Sequence, residues 1–251
     1  MRIATYNIWN SKNGMPHRGR YIVDEIKKIK ADIICLQEVC NGEMAENIAI
    51  KLGYQYWFFE NFNNDEEGLC ILSHIPFEEC VSWLDDVNAI CCSFLYDNKT
   101  ISVINVHLPW DSVLERERQI VDIIANIENK QYDYVYMAGD FNCSDSSDVQ
   151  RFLRGECLLN NSESNPHWFD LALAYAELTN TEAKSTLNFR ENPRFTRNTI
   201  ETNSRVDRIL LRNTYPLDPP ILNMCAIFGQ TIYDDINLSA SDHYGVVVEI
   251  D

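Results

Sequence analysis

The stretch that decides the fold is Tyr134-Val-Tyr-Met-Ala-Gly-Asp-Phe-Asn142. An apolar run from Val135 to Ala138 breaks at Gly139 and gives way to an acid, a spacer and an amide. Such a run reads as a buried strand that delivers polar side chains to the C-terminal edge of a sheet. Residues two apart share one face of an extended chain, so Asp140 and Asn142 point at one spot wherever that geometry persists. On these residues alone two readings stand. One is a carboxylate and an amide serving a water-activating or metal-linked site; the other is an Asx-rich turn closing the strand.

Upstream, Thr100–His107 is a strand ending in a histidine, and Val113–Glu128 is a helix with an expected apolar face of Leu114, Ile120, Val121, Ile124 and Ile127. The N-terminus has the same plan. Arg2–Asn7 is a strand ending in an amide, Arg20–Lys30 a helix, and Ile33–Glu38 a strand closed by a carboxylate. The spacing is 31 residues from Asn7 to Glu38 and 35 from Asn105 to Asp140. A duplicated strand-helix-strand unit predicts two sheets packed together with all polar tips at one end.

Between the units, Met44–Leu52 reads as a short helix and Tyr54–Leu108 as strand after strand, with a hairpin turn over Asn63–Gly68. Strands so closely spaced imply mixed or antiparallel pairing. Downstream, short helices are expected over Asp145–Leu153 and Asp170–Glu177, and strands over Arg205–Leu211, Leu222–Phe228 and Tyr244–Ile250. Thr179–Ser204 is a long polar connection, of the kind that tends to carry function. From Arg190 to Arg212 there are six arginines against three acids, a local balance of +3, which suits either a solvated loop or an anion-binding lid. Asp207 lies within an apolar strand and needs a partner. Asp242-His243 precedes the last strand, with Asp207 a candidate to fix the histidine tautomer.

At 251 residues with 45% apolar and 24% charged residues, the chain can bury a large core, and residues 1–251 read as a single domain. No signal peptide is apparent, and no apolar run approaches the ~18 residues of a membrane helix. The nine cysteines are odd in number, lack C-x-x-C spacing and mostly lie in apolar runs, which fits free thiols in a reducing cytoplasm rather than zinc or disulfides. A net charge of −17 repels phosphate polymers at long range and argues against broad DNA binding. Nothing in the sequence specifies an oligomeric state.

Asn7, Glu38, His107, Asp140, Asn142, Asp207, Asp242 and His243 thus all fall at or near strand ends. The donors are mostly oxygens, which suits Mg²⁺ or Mn²⁺. No G-x-S-x-G elbow, P-loop or G-x-G-x-x-G is present. The ordered set Thr5-Tyr-Asn7, Leu36-Gln-Glu38, Gly68-Leu-Cys-Ile-Leu-Ser73, Asn105-Val-His-Leu108, Gly139-Asp-Phe-Asn142, Arg205-Val-Asp207 and Ser241-Asp-His243 resembles the endonuclease/exonuclease/phosphatase superfamily of metal-dependent phosphoesterases. The resemblance implies an α/β fold, a four-layer sandwich of two packed mixed β-sheets flanked by helices. It implies that Glu38, Asn7 and Asp242 hold the metal and that Asp140 deprotonates the attacking water. It further implies that Asn142 bonds the phosphoryl group, that His243, oriented by Asp207, stabilises its charge, and that His107 contacts a non-bridging oxygen. The expected activity is Mg²⁺-dependent phosphodiester hydrolysis of a small molecule or lipid head group. A nucleic acid end is the alternative substrate, and a non-catalytic binding module is the reading from another class. Asn7-Ile-Trp9 departs from the Asn-x-Asp of abasic-site endonucleases and is similar to neutral sphingomyelinase-type members. Leu36-Gln-Glu-Val39 and the arginine-rich segment are compatible with tyrosyl-DNA phosphodiesterase 2-type members.

Overall fold

Apolar runs cut by polar turns become strands here, and two of them are tied to parallel neighbours by helices. The computed structural model describes residues 1–62, 67–85, 87–128 and 130–251. Most of the expected Asn63–Gly68 turn lies outside the described residues.

The chain opens with β1 (Arg2–Asn7), α1 (His17–Ile29) and β2 (Ile33–Val39), with β2 parallel to β1. Helix α1 buries Ile22, Val23 and Ile26, and stops where Lys30 turns left-handed. Next come α2 (Gly42–Leu52), β3 (Tyr56–Asn61) and β4 (Gly68–Ser73). Asn41 caps α2 by accepting from the Met44 N–H, and Gly53 ends it at φ 78°. Then β5 (Phe77–Ser82), β6 (Ala89–Tyr96) and β7 (Lys99–His107) form an antiparallel meander. The second strand-helix-strand unit is completed by α3 (Val113–Glu128) and β8 (Tyr134–Asp140), with β8 parallel to β7. After it lie α4 (Asp148–Leu153), β9 (Trp168–Asp170), α5 (Leu171–Thr179) and β10 (Asp207–Arg212). The chain closes with β11 (Leu222–Phe228), β12 (Ile232–Tyr233), β13 (Leu238–Ser239) and β14 (Gly245–Ile250).

Two six-stranded mixed sheets result, ordered β11-β14-β1-β2-β4-β3 and β5-β6-β7-β8-β10-β9. Each has one parallel pair at its centre, β1/β2 or β7/β8, as the internal repeat predicts. The inner faces meet in one apolar cluster that includes Ile3, Ile33, Ile71, Phe94, Val103, Ile209 and Val248. The outer face of the first sheet packs against α1 and α2, and that of the second against α3 and α4. The architecture is therefore a four-layer α/β sandwich.

Two expectations need correction. Of the expected face of α3, Ile120 and Ile127 are buried, but Leu114 is 67% exposed and Val121 and Ile124 are only partly covered, and Gln119 and Ile123 take their place. The short strands β9, β12 and β13 were not expected, since two or three residues carry no readable alternation.

Candidate active site

The first sheet brings two polar tips together through a distortion. Strand β2 shifts register between Leu36 and Val39, and Glu38 sits in that bulge at φ 59°. Glu38 therefore does not close the strand, which runs one residue further; the bulge aims its carboxylate back at β1. Asn7 Nδ2 donates to Glu38 Oε1 at 2.8 Å, and the Asn10 N–H donates to Oε2 at 2.7 Å. Asn7 is fully buried and also donates to Asp140 Oδ2 at 3.1 Å, so a single amide joins the two sheets. Nearby, Gln37 Nε2 donates to Asn105 Oδ1 at 2.7 Å, and Asn105 Nδ2 donates to the carbonyls of Leu36 and Cys70, both at 2.9 Å. This polar clasp crosses the sandwich one step below the tips.

The second sheet supplies the rest. His107 is paired with Asp140 in the β7/β8 ladder, and its Nε2 lies 3.7 Å from Asp140 Oδ2. Gly139 is required here. A Cβ at that position would sit 1.9 Å from the Val106 carbonyl oxygen, and its φ is 148°. The extended path ends at Asp140. Asn142 takes φ 47°, so strand alternation does not align it with Asp140. Instead its N–H donates to Asp140 Oδ1 at 2.8 Å, while its side-chain amide donates to the Leu108 carbonyl at 2.9 Å.

Asp207 opens β10 opposite Asp140, and its Oδ2 lies 3.0 Å from His243 Nδ1. His243 Nδ1 is also 3.8 Å from Asp140 Oδ2. Buried Thr186 sets this contact: its hydroxyl accepts from the N–H groups of Val206 and Asp207 at 3.1 Å, and its carbonyl accepts from Tyr244 N–H at 2.7 Å. Ser241 ties the same segment to β1 by donating to the Asn7 carbonyl at 2.7 Å.

The charges do not balance. Burial opposes a charge on His243, but the Asp207 and Asp140 carboxylates outweigh it and push the imidazole well above its usual range. Asp242 is pushed up to about 6, first by burial; His243 and Arg194 oppose the rise and Glu38 adds to it. Glu38, Glu67 and His107 can place ligand atoms within 4.8 Å of one another, as can Asp140, Asp207 and His243. Asp207 Oδ1 and His107 Nδ1 are buried without a hydrogen-bond partner among the described residues. The excess of carboxylate around Glu38, Glu67 and Asp242 fits a hard divalent cation held by oxygen donors.

All eight residues singled out in the sequence border this one end of the sandwich. Reading the sequence missed Glu67, whose turn is polar throughout, and Thr186, whose hydroxyl works only through the backbone it clips. The arginine-rich segment splits. Arg205 and Arg208 are buried and paired with Asp145 and Asp170, whereas Arg190 donates to the carbonyls of Asn198 and Glu201. Cys143, beside Asn142, is a buried thiol touched by Gln150.

A sequence profile of the Endonuclease/Exonuclease/phosphatase family matches residues 4–243. No curated protein sequence matches. Among solved structures, D. rerio TDP2 complexed with single strand DNA product is similar at TM-score 0.77 and 17% identity, over 100% of this chain and 98% of that one. SmcL is similar at 0.68 and 14%, over 100% and 99%. Beta toxin from Staphylococcus aureus is similar at 0.70 and 14%, over 100% of both chains. These likenesses reproduce the four-layer sandwich, and the profile match spans both halves of the cluster from β1 to His243. The chain belongs to the endonuclease/exonuclease/phosphatase family, and with it to the metal-dependent phosphoesterases.

Proposed function

We propose that the protein is a Mg²⁺-dependent phosphodiesterase acting on a small soluble or lipid organophosphate, with Mn²⁺ as the alternative ion. One observation carries this reading: Asn7, Glu38, His107, Asp140, Asp207 and His243, from both sheets, converge within hydrogen-bond or ion-pair reach of Asp140 or of one another.

Glu38, with Asn7 beside it and Asp242 nearby, would hold the ion, and Glu67 would extend the donor set. When bound, the ion draws charge from the phosphoryl oxygens. Asp140 accepts one hydrogen bond at each oxygen, which leaves lone pairs for a water molecule. It takes the water's proton as the water oxygen bonds to phosphorus. The ester P–O bond opposite breaks, and its electrons leave on the alcohol oxygen. His243 is kept positively charged by Asp207 and faces the charge gathering on the phosphoryl group. His107 meets a non-bridging oxygen. Asn142 has a second amide proton for the same purpose, because only one is committed to Leu108.

The test is hydrolysis of bis(p-nitrophenyl) phosphate by wild type with Mg²⁺, with EDTA, and by Glu38→Ala and His243→Ala. Equal rates in all four would remove the proposal. A nuclease reading is favoured by one observation, the likeness to TDP2 complexed with single strand DNA product. The net charge of −17 opposes it. Single-stranded DNA, 5′-tyrosyl DNA, abasic duplex, sphingomyelin and inositol phosphates assayed side by side separate the two.

We further place the enzyme in the cytoplasm as one domain over residues 1–251. All nine cysteines are free, and no described helix is long and apolar enough to cross a membrane. Recovery of the native protein from a secreted fraction, or its cleavage by mild proteolysis into two separately stable pieces, would overturn this.

A further inference from the structure

We propose that Arg194 and Arg197 form a subsite for a second phosphate of the substrate, beyond the scissile phosphorus, and that Arg194 on Trp9 excludes cationic head groups. This rests on the phosphoesterase reading above and narrows its substrate class.

The subsite is built from behind. Asn192 is 1% exposed; its side chain accepts from the Arg194 N–H at 3.0 Å and donates to the Ser241 carbonyl at 2.9 Å. The one-turn helix Pro193–Phe195 is thereby fastened to the segment that carries Asp242 and His243. The Arg194 guanidinium stands 5.4 Å from the Trp9 ring centroid and 5.7 Å from that of Phe195. Arg18 also lies against Trp9, at 4.6 Å. Fully buried, it donates to the carbonyls of Ile8, Trp9, Ser11, Asn13 and Ala240, which fixes the loop after β1.

The two guanidiniums on Trp9 differ in one respect. Arg18 is satisfied by carbonyls, whereas the side chains of Arg194 and Arg197 make no hydrogen bond and no ion pair among the described residues. Acids outnumber bases 38 to 21 in this chain, so anionic partners are abundant. Two exposed arginines without an ion pair among the described residues, on a turn anchored to the metal side of the site where Arg194 acts on Asp242 from a distance, suit an anion that arrives with the substrate. They line an open hollow of about 410 Å³ with Phe195, Asn198, Thr199 and Ile200, large enough for a phosphate and the sugar or polyol carrying it. A choline-type head group is recognised by a free aromatic face. Here that face already carries guanidinium groups, and their charge repels a quaternary ammonium.

Calorimetric titration with Mg²⁺ present tests the subsite without turnover. Thymidine 5′-phosphate is compared with thymidine 3′,5′-bisphosphate, inositol 1-phosphate with inositol 1,4-bisphosphate, and phosphocholine serves as the cationic probe. The expected result is that a bisphosphate binds about 10-fold tighter than its monophosphate, and that phosphocholine binds weakest. The advantage falls below about 2-fold in Arg194→Gln, weakens in Arg197→Gln, and survives in Arg194→Lys, which keeps the charge. A gain confined to the thymidine pair points to nucleic acid as the source; one confined to the inositol pair points to a soluble polyol phosphate. No advantage in wild type, or an advantage unchanged in Arg194→Gln, overturns the subsite. If bis(p-nitrophenyl) phosphate is hydrolysed while mono- and bisphosphates bind equally, only the subsite fails. If nothing binds and nothing is hydrolysed, the phosphoesterase reading fails with it.

Discussion

Two clusters of buried charge lie near the same end of the second sheet, and they are assembled by opposite rules. In one, the guanidiniums of Arg205 and Arg208 meet the carboxylates of Asp145 and Asp170, with Arg205 Nη2 2.7 Å from Asp170 and Arg208 Nη1 2.6 Å from Asp145. Two cations face two anions, and Arg208 also donates to the Cys143 carbonyl at 3.0 Å. In the other, Glu38, Glu67, Asp140, Asp207 and Asp242 surround two imidazoles, and Asp207 Oδ1 has no hydrogen-bond partner among the described residues. A balanced cluster holds elements together: Asp170 also caps α5 by accepting from the N–H groups of Ala172 and Leu173. The unbalanced cluster keeps an excess of carboxylate, even with Arg194 acting on Asp242, that an added cation offsets. Burial alone therefore does not mark function here; the sum of charges does.

The contrast breaks most visibly under substitution. Glu38→Ala is expected to cut kcat by roughly 10³-fold while leaving the midpoint of thermal unfolding unchanged or higher, since it relieves the crowding of carboxylates. His243→Ala is expected to cut kcat comparably but to lower the midpoint, because Asp207 is left buried without its partner. A large loss of stability with activity per folded molecule intact would place these residues in the architecture instead. Arg208→Met should do the reverse. It leaves Asp145 and Asp170 facing one cation fewer and is expected to cost about 3 kcal/mol in denaturant unfolding, the lower end for a broken buried pair because Asp145 is half exposed. Unchanged stability in that variant would show that the balanced cluster holds nothing.

A third test adds the missing charge. Mg²⁺ at about a hundredfold its dissociation constant should stabilise the protein by about 2.7 kcal/mol. For a chain of this length that raises the melting temperature by roughly 5–10 °C. The rise should vanish in Glu38→Ala and persist in Arg208→Met; the opposite pattern would exchange the roles of the clusters.

The smallest effect concerns acid. Burial works against the Asp145 charge, but Arg208 and Arg205 outweigh it and hold the carboxyl below its ordinary range. A depressed folded value means a contribution fully present above the ordinary carboxylate range and lost as pH falls through the folded value. The stability difference between wild type and Asp145→Asn should thus shrink as pH drops below about 4, by less than about 1 kcal/mol given the exposure of Asp145. A difference that stays constant from pH 6 to pH 3 would contradict the pairing.

The sequence carries the unbalanced cluster more openly than the balanced one. His107, Asp140 and Glu38 each interrupt an apolar run, and a polar residue there has few structural excuses. Asp145 and Asp170 sit in polar or helix-starting contexts, where an acid is ordinary, so their pairing with arginines 35 to 63 residues away leaves no local trace. The arginines of residues 190–212 read as one basic patch, yet Arg208 on strand β10 and Arg205 just before it turn inward, while the preceding loop keeps Arg194 and Arg197 exposed. Glu67 was hidden by a uniformly polar turn. The bulge at Glu38 was hidden because a left-handed glutamate has no sequence signature.

The Gln37–Asn105 clasp has a consequence for how such an enzyme changes over generations. It fixes the gap between the two halves by hydrogen-bond length, not by the volume of whatever fills the sandwich below. Aliphatic side chains deeper between the sheets are thus free to be exchanged and resized, while the acids above keep their mutual spacing.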